Sequence, residues 1–178
     1  MWVSTELQKD LMPLTALLIP ELKYELNATR STLERIPSGH NNFKPHEKSF
    51  PLDQLAGHVT QLCSFGSSVL STPNFDFGVT RTVPLLFESS EQILAAFDTQ
   101  AAQVQADLAA ATDAAFEETW SLSFNNHPIF SGTRFAAYRA MFLNHLIHHR
   151  AQLGVYLRLL DAPVPATYGP SADDRMGF

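Results

Sequence analysis

The sequence predicts an all-α fold: a four-helix bundle with a short extra N-terminal helix and long loops. Three observations support this prediction. Apolar residues recur at spacings of three and four in four long segments, which is the period of one face of a helix. Strand signals are almost absent. Stretches that contain proline and glycine separate the four segments, and packing four such helices together buries all of their apolar faces.

The first helical pattern begins near the N-terminus. Leucines recur on one helix face from Leu7 to Leu18 and, beyond Pro20, the same pattern continues to Ile36. Proline in a helix interior removes a hydrogen bond and crowds the preceding turn. Pro20 therefore either separates a short first helix from a second or kinks a single long helix. The stop signal Pro-Ser-Gly at 37–39 ends the pattern.

Three further helices follow. The second bundle helix is expected to begin at Pro51, with Ser49 or a neighbour as its cap, and to end near residue 71. The third runs from about Ser89 to Ala111, with five apolar residues on its buried side: Ile93, Phe97, Ala101, Val104 and Leu108. The last helix runs from about Thr133 to Leu160.

The connecting segments differ in character. Residues 73–87 contain Pro, Gly and Phe and are expected to form a surface loop. Residues 116–132 carry Trp, Phe and an Asn-Asn pair and form either a small hairpin or an extended loop. The proline-rich tail after residue 160 is expected to lie extended on the surface.

The bulk composition is that of a globular domain. The 178 residues are 45% hydrophobic and 17% charged, which fits one domain over residues 1–178. The net charge of −6 argues against nucleic-acid binding. The chain lacks both a run of about eighteen apolar residues and a signal peptide, so we expect no membrane association. Cys63 is the single cysteine, which excludes an intrachain disulfide and favours a cytoplasmic protein.

Histidines fall on the apolar side of two of these helices. At about 100° per residue, His145 and His149 lie within the apolar stripe of the last helix. His58 borders the apolar face of the second bundle helix. Two histidines one turn apart, together with a third from a facing helix, provide the nitrogen donors that a divalent metal needs. Three neutral ligands also leave a coordination position open, as in catalytic sites.

Two other interpretations of the three histidines remain open. They could form a metal-free polar core, because histidine near an apolar face often bonds to a carbonyl group. They could also hold a metal that has only a structural role. Cys63 lies on the apolar face of its helix and is expected to be a packed core residue rather than a nucleophile.

Two motifs carry a resemblance to a known family. PHEKSFPLDQLAGHV at 45–59 and LNHLIHHRAQLGVYLRLLDAPVPATYGPSADD at 143–174 resemble the DinB family, the DinB/YfiT-like metalloenzyme superfamily. The resemblance implies a four-helix bundle whose metal ligands come from the second and last bundle helices. In this chain those positions are His58, His145 and His149. Many relatives have glycine where this chain has Ala151, a change that a helix tolerates.

The resemblance also implies a range of activities. Some relatives are thiol-dependent transferases, and others are isomerases or hydrolases. We therefore expect a metal-dependent enzyme that acts on a small molecule, with thiol transfer favoured over hydrolysis or isomerisation. The expected cofactor is a divalent ion, zinc or nickel before iron or copper. The expected partners are a low-molecular-weight thiol and a second copy of the chain as a homodimer. The alternative is a non-catalytic, stress-related dimeric protein that binds metal.

Overall fold

The computed structural model describes residues 12–80 and 83–175. Within these residues the helices are α1 Leu14–Leu33, α2 Leu52–Ser71, α3 Ser90–Ala110 and the short α4 Asp113–Glu117, followed by a last helical run. This last helix has three consecutive parts: α5 Arg134–Ala137, a π-helical segment Tyr138–Leu143, and α6 Asn144–Leu159. The strands are β1 Asn74–Asp76, β2 Thr119–Phe124 and β3 His127–Thr133.

The four long helices form the predicted bundle. α2 packs against α3 and against the last helix, and α1 packs against the same two neighbours. The core between them is built from aliphatic and aromatic side chains, the largest of which are Trp120, Tyr138, Phe97, Phe116 and Phe142. None of the helices in the described part of the chain is both long and apolar enough to cross a bilayer.

The helix boundaries follow the sequence patterns closely. Leu14 to Leu33 is one uninterrupted helix with the exposed Pro20 inside it, so no break occurs at that residue. The earlier part of the predicted N-terminal helix, including Leu7, lies outside the described residues. α2 begins after Pro51 with no side-chain cap, so Ser49 does not cap it. α3 is capped by the Ser89 side chain.

The predicted buried faces are also confirmed. The buried residues of α3 are the five expected from the sequence, Ile93, Phe97, Ala101, Val104 and Leu108. Cys63 of α2 is fully buried, and burial raises the pKa of its thiol to about 12. A thiol held protonated in an apolar core is a poor nucleophile, as expected for a packing residue.

The prediction of an all-α fold was wrong, because a small three-stranded sheet lies beside the bundle. β2 and β3 form the hairpin that the Asn-Asn pair indicated, with both Asn125 and Asn126 at positive φ. β1 lies in the segment predicted to be a surface loop and pairs in parallel with β2, Phe75 opposite Leu122. A strand of three residues is too short to show periodicity, so only its pairing partner reveals it.

Asp76 joins this sheet together. Its carboxylate accepts hydrogen bonds from the main-chain N–H groups of Gly78, Asn125 and Asn126 and from the Ser123 hydroxyl, at 2.7–2.9 Å. Two of these donors belong to the hairpin turn, so one side chain holds β1 against β2. The main-chain donor of Asn126 and the hydroxyl of Ser123 lower the pKa of Asp76 from 3.8 to about 2.

The last helix contains a π-helical segment that the sequence pattern did not predict. This segment lies against α2, where Gly66 faces the ring of Phe142. A Cβ added at Gly66 would lie 2.8 Å from three atoms of that ring. The absence of a side chain at residue 66 therefore allows the two helices to approach closely.

A buried ion pair joins the last helix to α1. Arg150 donates to the Glu25 carboxylate at 2.5 Å and to the Glu25 carbonyl oxygen at 3.1 Å, and both side chains are at most 6% exposed. Tyr168 of the tail shares this pair, because its hydroxyl contacts both Arg150 and Glu25. The tail contains no helix or strand, as expected, but it is fixed to the bundle by these contacts and by the Arg158–Asp173 ion pair.

We expect Glu25→Gln to lower the free energy of unfolding by about 3–5 kcal/mol, because it leaves the buried Arg150 charge uncompensated. The matched control is Asp98→Asn, which neutralises the exposed Arg30–Asp98 pair and should cost at most about 1 kcal/mol. Urea denaturation of both variants measures the difference. Equal losses in the two variants would contradict a stabilising role for the buried pair.

The lowered pKa of Asp76 gives a pH dependence with a definite sign. The carboxylate stabilises the folded state above about pH 4, and this contribution is lost as the pH falls toward 2. We expect Asp76→Asn to melt at a lower temperature than wild type at pH 6, with the gap narrowing between pH 4 and pH 2. Differential scanning calorimetry over this range measures the gap; a gap independent of pH would contradict the prediction.

Candidate metal centre

The structure brings together the three histidines selected from the sequence. His58 projects from α2, and His145 and His149 project from successive turns of α6. The His145 and His149 Nε2 atoms are 2.8 Å apart, and the His58 and His145 Nε2 atoms are 3.5 Å apart. One ligand atom from each residue lies within 4.8 Å of the others. We call these three residues the histidine cluster.

Two neighbouring groups fix the ring orientations. The ring of His145 donates a hydrogen bond to the Met141 main-chain carbonyl, one turn earlier. The Nδ1 atom of His149 lies 2.7 Å from the side-chain oxygen of Gln152, which can only accept. Both rings therefore carry their proton on Nδ1, and the Nε2 lone pairs point into the cluster.

Burial disfavours protonation of all three rings. Burial, together with the two neighbouring histidines, lowers the pKa of His58 to about 4. Burial also lowers the pKa of His145 and of His149. The Nε2 atoms of His145 and His149 are 2.8 Å apart. A cation held between the ring nitrogens would accept electron pairs from neutral rings.

The donor set fits a divalent ion. Three imidazole nitrogens converge from two helices that pack directly against each other, which suits zinc, nickel, copper or iron. Three protein ligands leave at least one coordination position for another molecule. The cluster is therefore compatible with a divalent metal site.

Two cavities adjoin the histidine cluster. The first, of about 430 Å³, is lined by His58 and His145 together with three phenylalanines, Phe65, Phe75 and Phe77; we call it the aromatic cavity. The second, of about 440 Å³, is lined by His149 together with Lys48, Phe50, Gln152 and Tyr156; we call it the Lys48 cavity. Both volumes fall within the range of small-molecule sites, about 300–1,000 Å³.

Other polar residues in and near the helices of the cluster have structural roles. His46 is exposed, and its ring accepts a hydrogen bond from the Lys48 main chain, which braces the loop before α2. Tyr156 packs in the core and donates to the Phe50 carbonyl. Arg150 forms the buried ion pair with Glu25 across the bundle. His148 is exposed and accepts from the Gln152 amide.

Sequence reasoning missed the two groups that orient the cluster. Gln152 was not singled out, although its position three residues after His149 places it on the neighbouring turn. Its side chain bridges His148 and His149. The Met141 carbonyl acts from within the π-helical segment, and a main-chain group leaves no signal in the residue pattern.

The bundle, the cluster and the two cavities define a class: a helical-bundle protein with a three-histidine site between its second and last long helices. The sequence profile of the DinB superfamily matches residues 21–153 of this chain. The chain belongs to the DinB superfamily. The matched region includes all three histidines of the cluster.

Solved structures show the same fold. A DinB-like protein from Bacillus cereus ATCC 10987 superposes with a TM-score of 0.65 at 18% identity, over 88% of this chain and 98% of that protein. A DinB-like protein from Bacillus subtilis gives a TM-score of 0.63 at 20% identity, over 90% and 99%. At these identities the likeness concerns the fold alone. No protein of curated function matches the chain significantly.

We expect Gln152→Leu to weaken binding of added Zn²⁺ by about 10–100-fold, because His149 loses the acceptor that fixes its Nδ1 proton. Gln103→Leu on the exposed face of α3 is the matched control. Competition with a chromogenic chelator measures both affinities. Equal affinity of wild type and Gln152→Leu would show that the amide does not orient the ligand.

Proposed function

We propose that this protein is a metal-dependent enzyme that joins a low-molecular-weight thiol to a small electrophile. His58, His145 and His149 are the proposed ligands of the divalent ion, zinc or nickel before iron or copper. The observation that carries the proposal is the position of the histidine cluster, which adjoins two separate cavities.

Two cavities suit a reaction with two organic substrates. His58 and His145 belong to the aromatic cavity, whereas His149 belongs to the Lys48 cavity. A hydrolase needs room for one organic substrate and water, so a second cavity of equal size favours thiol transfer. The charge of Lys48 suits the carboxylate that peptide-like thiols carry.

A divalent ion on three imidazoles supplies an open position and lowers the pKa of a thiol or water that binds there. The overall transfer forms a carbon–sulfur bond and breaks the bond between that carbon and its leaving group, which departs with its electron pair. The thiol proton ends on the leaving group or in solvent. An electrophile without a leaving group takes the proton on the neighbouring atom instead.

The protein groups around the cluster have defined parts in this scheme. Gln152 and the Met141 carbonyl hold the Nδ1 protons, so that Nε2 of His149 and His145 stays available. The aromatic cavity excludes water from the side of His58 and His145. A protein nucleophile is not required, in keeping with the burial of Cys63.

The first experiment is the metal content of untagged protein by elemental mass spectrometry. We expect about one divalent ion per chain in wild type and loss of the ion in His58→Ala and in His145→Ala, since each removes one of three ligands. His127→Ala, at the exposed start of β3, is the matched control and should keep the ion. Metal-free wild type that binds neither added zinc nor added nickel would overturn the proposal.

The thiol requirement is tested with the loaded protein. The probes are glutathione and 1-chloro-2,4-dinitrobenzene, whose coupling releases chloride and a proton and forms a coloured thioether. We expect a rate above the uncatalysed one that saturates with thiol and is lost in His145→Ala. Release of dinitrophenol without thiol would instead indicate a hydrolase.

A further inference from the structure

We infer that the electrophilic substrate is a flat aromatic molecule that carries an N–H or O–H hydrogen-bond donor, bound in the aromatic cavity with Gln100 as its specificity-determining contact. That the ligand is a substrate rests on the proposed function. The cavity is present in the structure whether or not that function is correct. The substrate class follows from the shape of the walls and from one unpaired acceptor.

The walls of the cavity present aromatic faces and edges at several angles. Phe65 of α2 is nearly parallel to Phe77, with ring centroids 6.0 Å apart, and makes an edge contact with Phe75 at 5.4 Å. Phe75 and Phe77 are themselves 5.1 Å apart in an edge arrangement. Such a box of rings favours a planar aromatic ligand over an aliphatic one, because stacked and edge contacts are both available to it.

Gln100 supplies the polar recognition. It lines the same cavity from α3, and its side-chain carbonyl oxygen is buried without a hydrogen-bond partner among the described residues. A buried acceptor without a donor is unfavourable, so a ligand donor at this wall would be selected over an isostere that lacks it. By contrast, Gln61 in the same wall already donates to the Val83 carbonyl.

The same cavity also borders the histidine cluster. His58 and His145 line it together with the three phenylalanines, so a ligand in this cavity lies beside two of the three histidines. The sheet fixes the position of the rings, because Asp76 lies between Phe75 and Phe77 and binds the hairpin turn. The cavity is thus preformed, and selectivity between ligands does not require the walls to reorganise.

The test compares three probes by isothermal titration calorimetry: 2-naphthol, 2-methoxynaphthalene, which lacks the donor, and decahydro-2-naphthol, which lacks the aromatic plane. We expect wild type to bind 2-naphthol about tenfold more tightly than either analogue. Amide shifts of residues 75–77 and 120–122 in NMR spectra should move on binding. Equal affinity of wild type for the three probes, or no binding of 2-naphthol, would overturn the inference, so the wild-type titrations alone can refute it.

Variants locate the contact. Gln100→Leu should reduce the preference for 2-naphthol over 2-methoxynaphthalene to about onefold, and Gln103→Leu on the exposed face of the same helix should leave it unchanged. An unchanged preference in Gln100→Leu would overturn the assignment of this residue.

All titrations are repeated on protein treated with a chelator, which separates the two proposals. Selective binding of 2-naphthol by a wild-type chain that binds neither added zinc nor added nickel would support the ligand class and refute the metal-dependent enzyme. Metal-loaded protein that does not bind 2-naphthol would refute the ligand class without contradicting the enzyme proposal.

Discussion

The close approach of α2 to the last helix is the constraint on which the rest of the structure depends. Gly66 permits it, because any side chain at that position would meet the ring of Phe142. The same approach places His58 of α2 opposite His145 of α6, with their Nε2 atoms 3.5 Å apart. Imidazole is short, so helices held apart by one more side chain would leave the three nitrogens too distant to share a ligand. The packing of Gly66 against Phe142 and the convergence of the histidine nitrogens therefore depend on the same short distance between the two helices.

The small sheet gives the bundle a cavity wall that the four helices alone do not provide. β1 and the residues after it bring Phe75 and Phe77 against Phe65 of α2, which closes the aromatic cavity beside the histidine cluster. The Asp76 side chain makes this possible by accepting hydrogen bonds from Gly78, just after β1, and from Asn125 in the hairpin turn. The departure from an all-α fold thus lies beside the histidine cluster, where it supplies part of the cavity wall, while the bundle positions the histidines.

The features that could be predicted from the sequence are those that produce a regular pattern of residue types. The buried face of α3 and the choice of the three histidines follow from spacing, and the Asn-Asn pair made a hairpin one of the two structures expected for its segment. Features that depend on the main chain or on distant partners did not follow. β1 has three residues and is defined by its pairing, and the π-helical segment changes hydrogen bonds rather than residue types. The role of Gln152 in orienting His149 could not be predicted, because it depends on the direction in which the His149 ring points.

Two successive residues of α6, about 100° apart around the helix, make contacts with different neighbouring helices. His149 faces α2 and the cluster, whereas Arg150 reaches the buried carboxylate of Glu25 in α1. A buried charge with a single good partner tolerates little displacement, because movement of the helix would separate the charge from that partner. The pair thus fixes the rotation and height of α6 relative to α1, and with them the direction of the His149 ring. Tyr168 adds a third member to this pair from the tail, so the segment after α6 also helps to hold the helix in place.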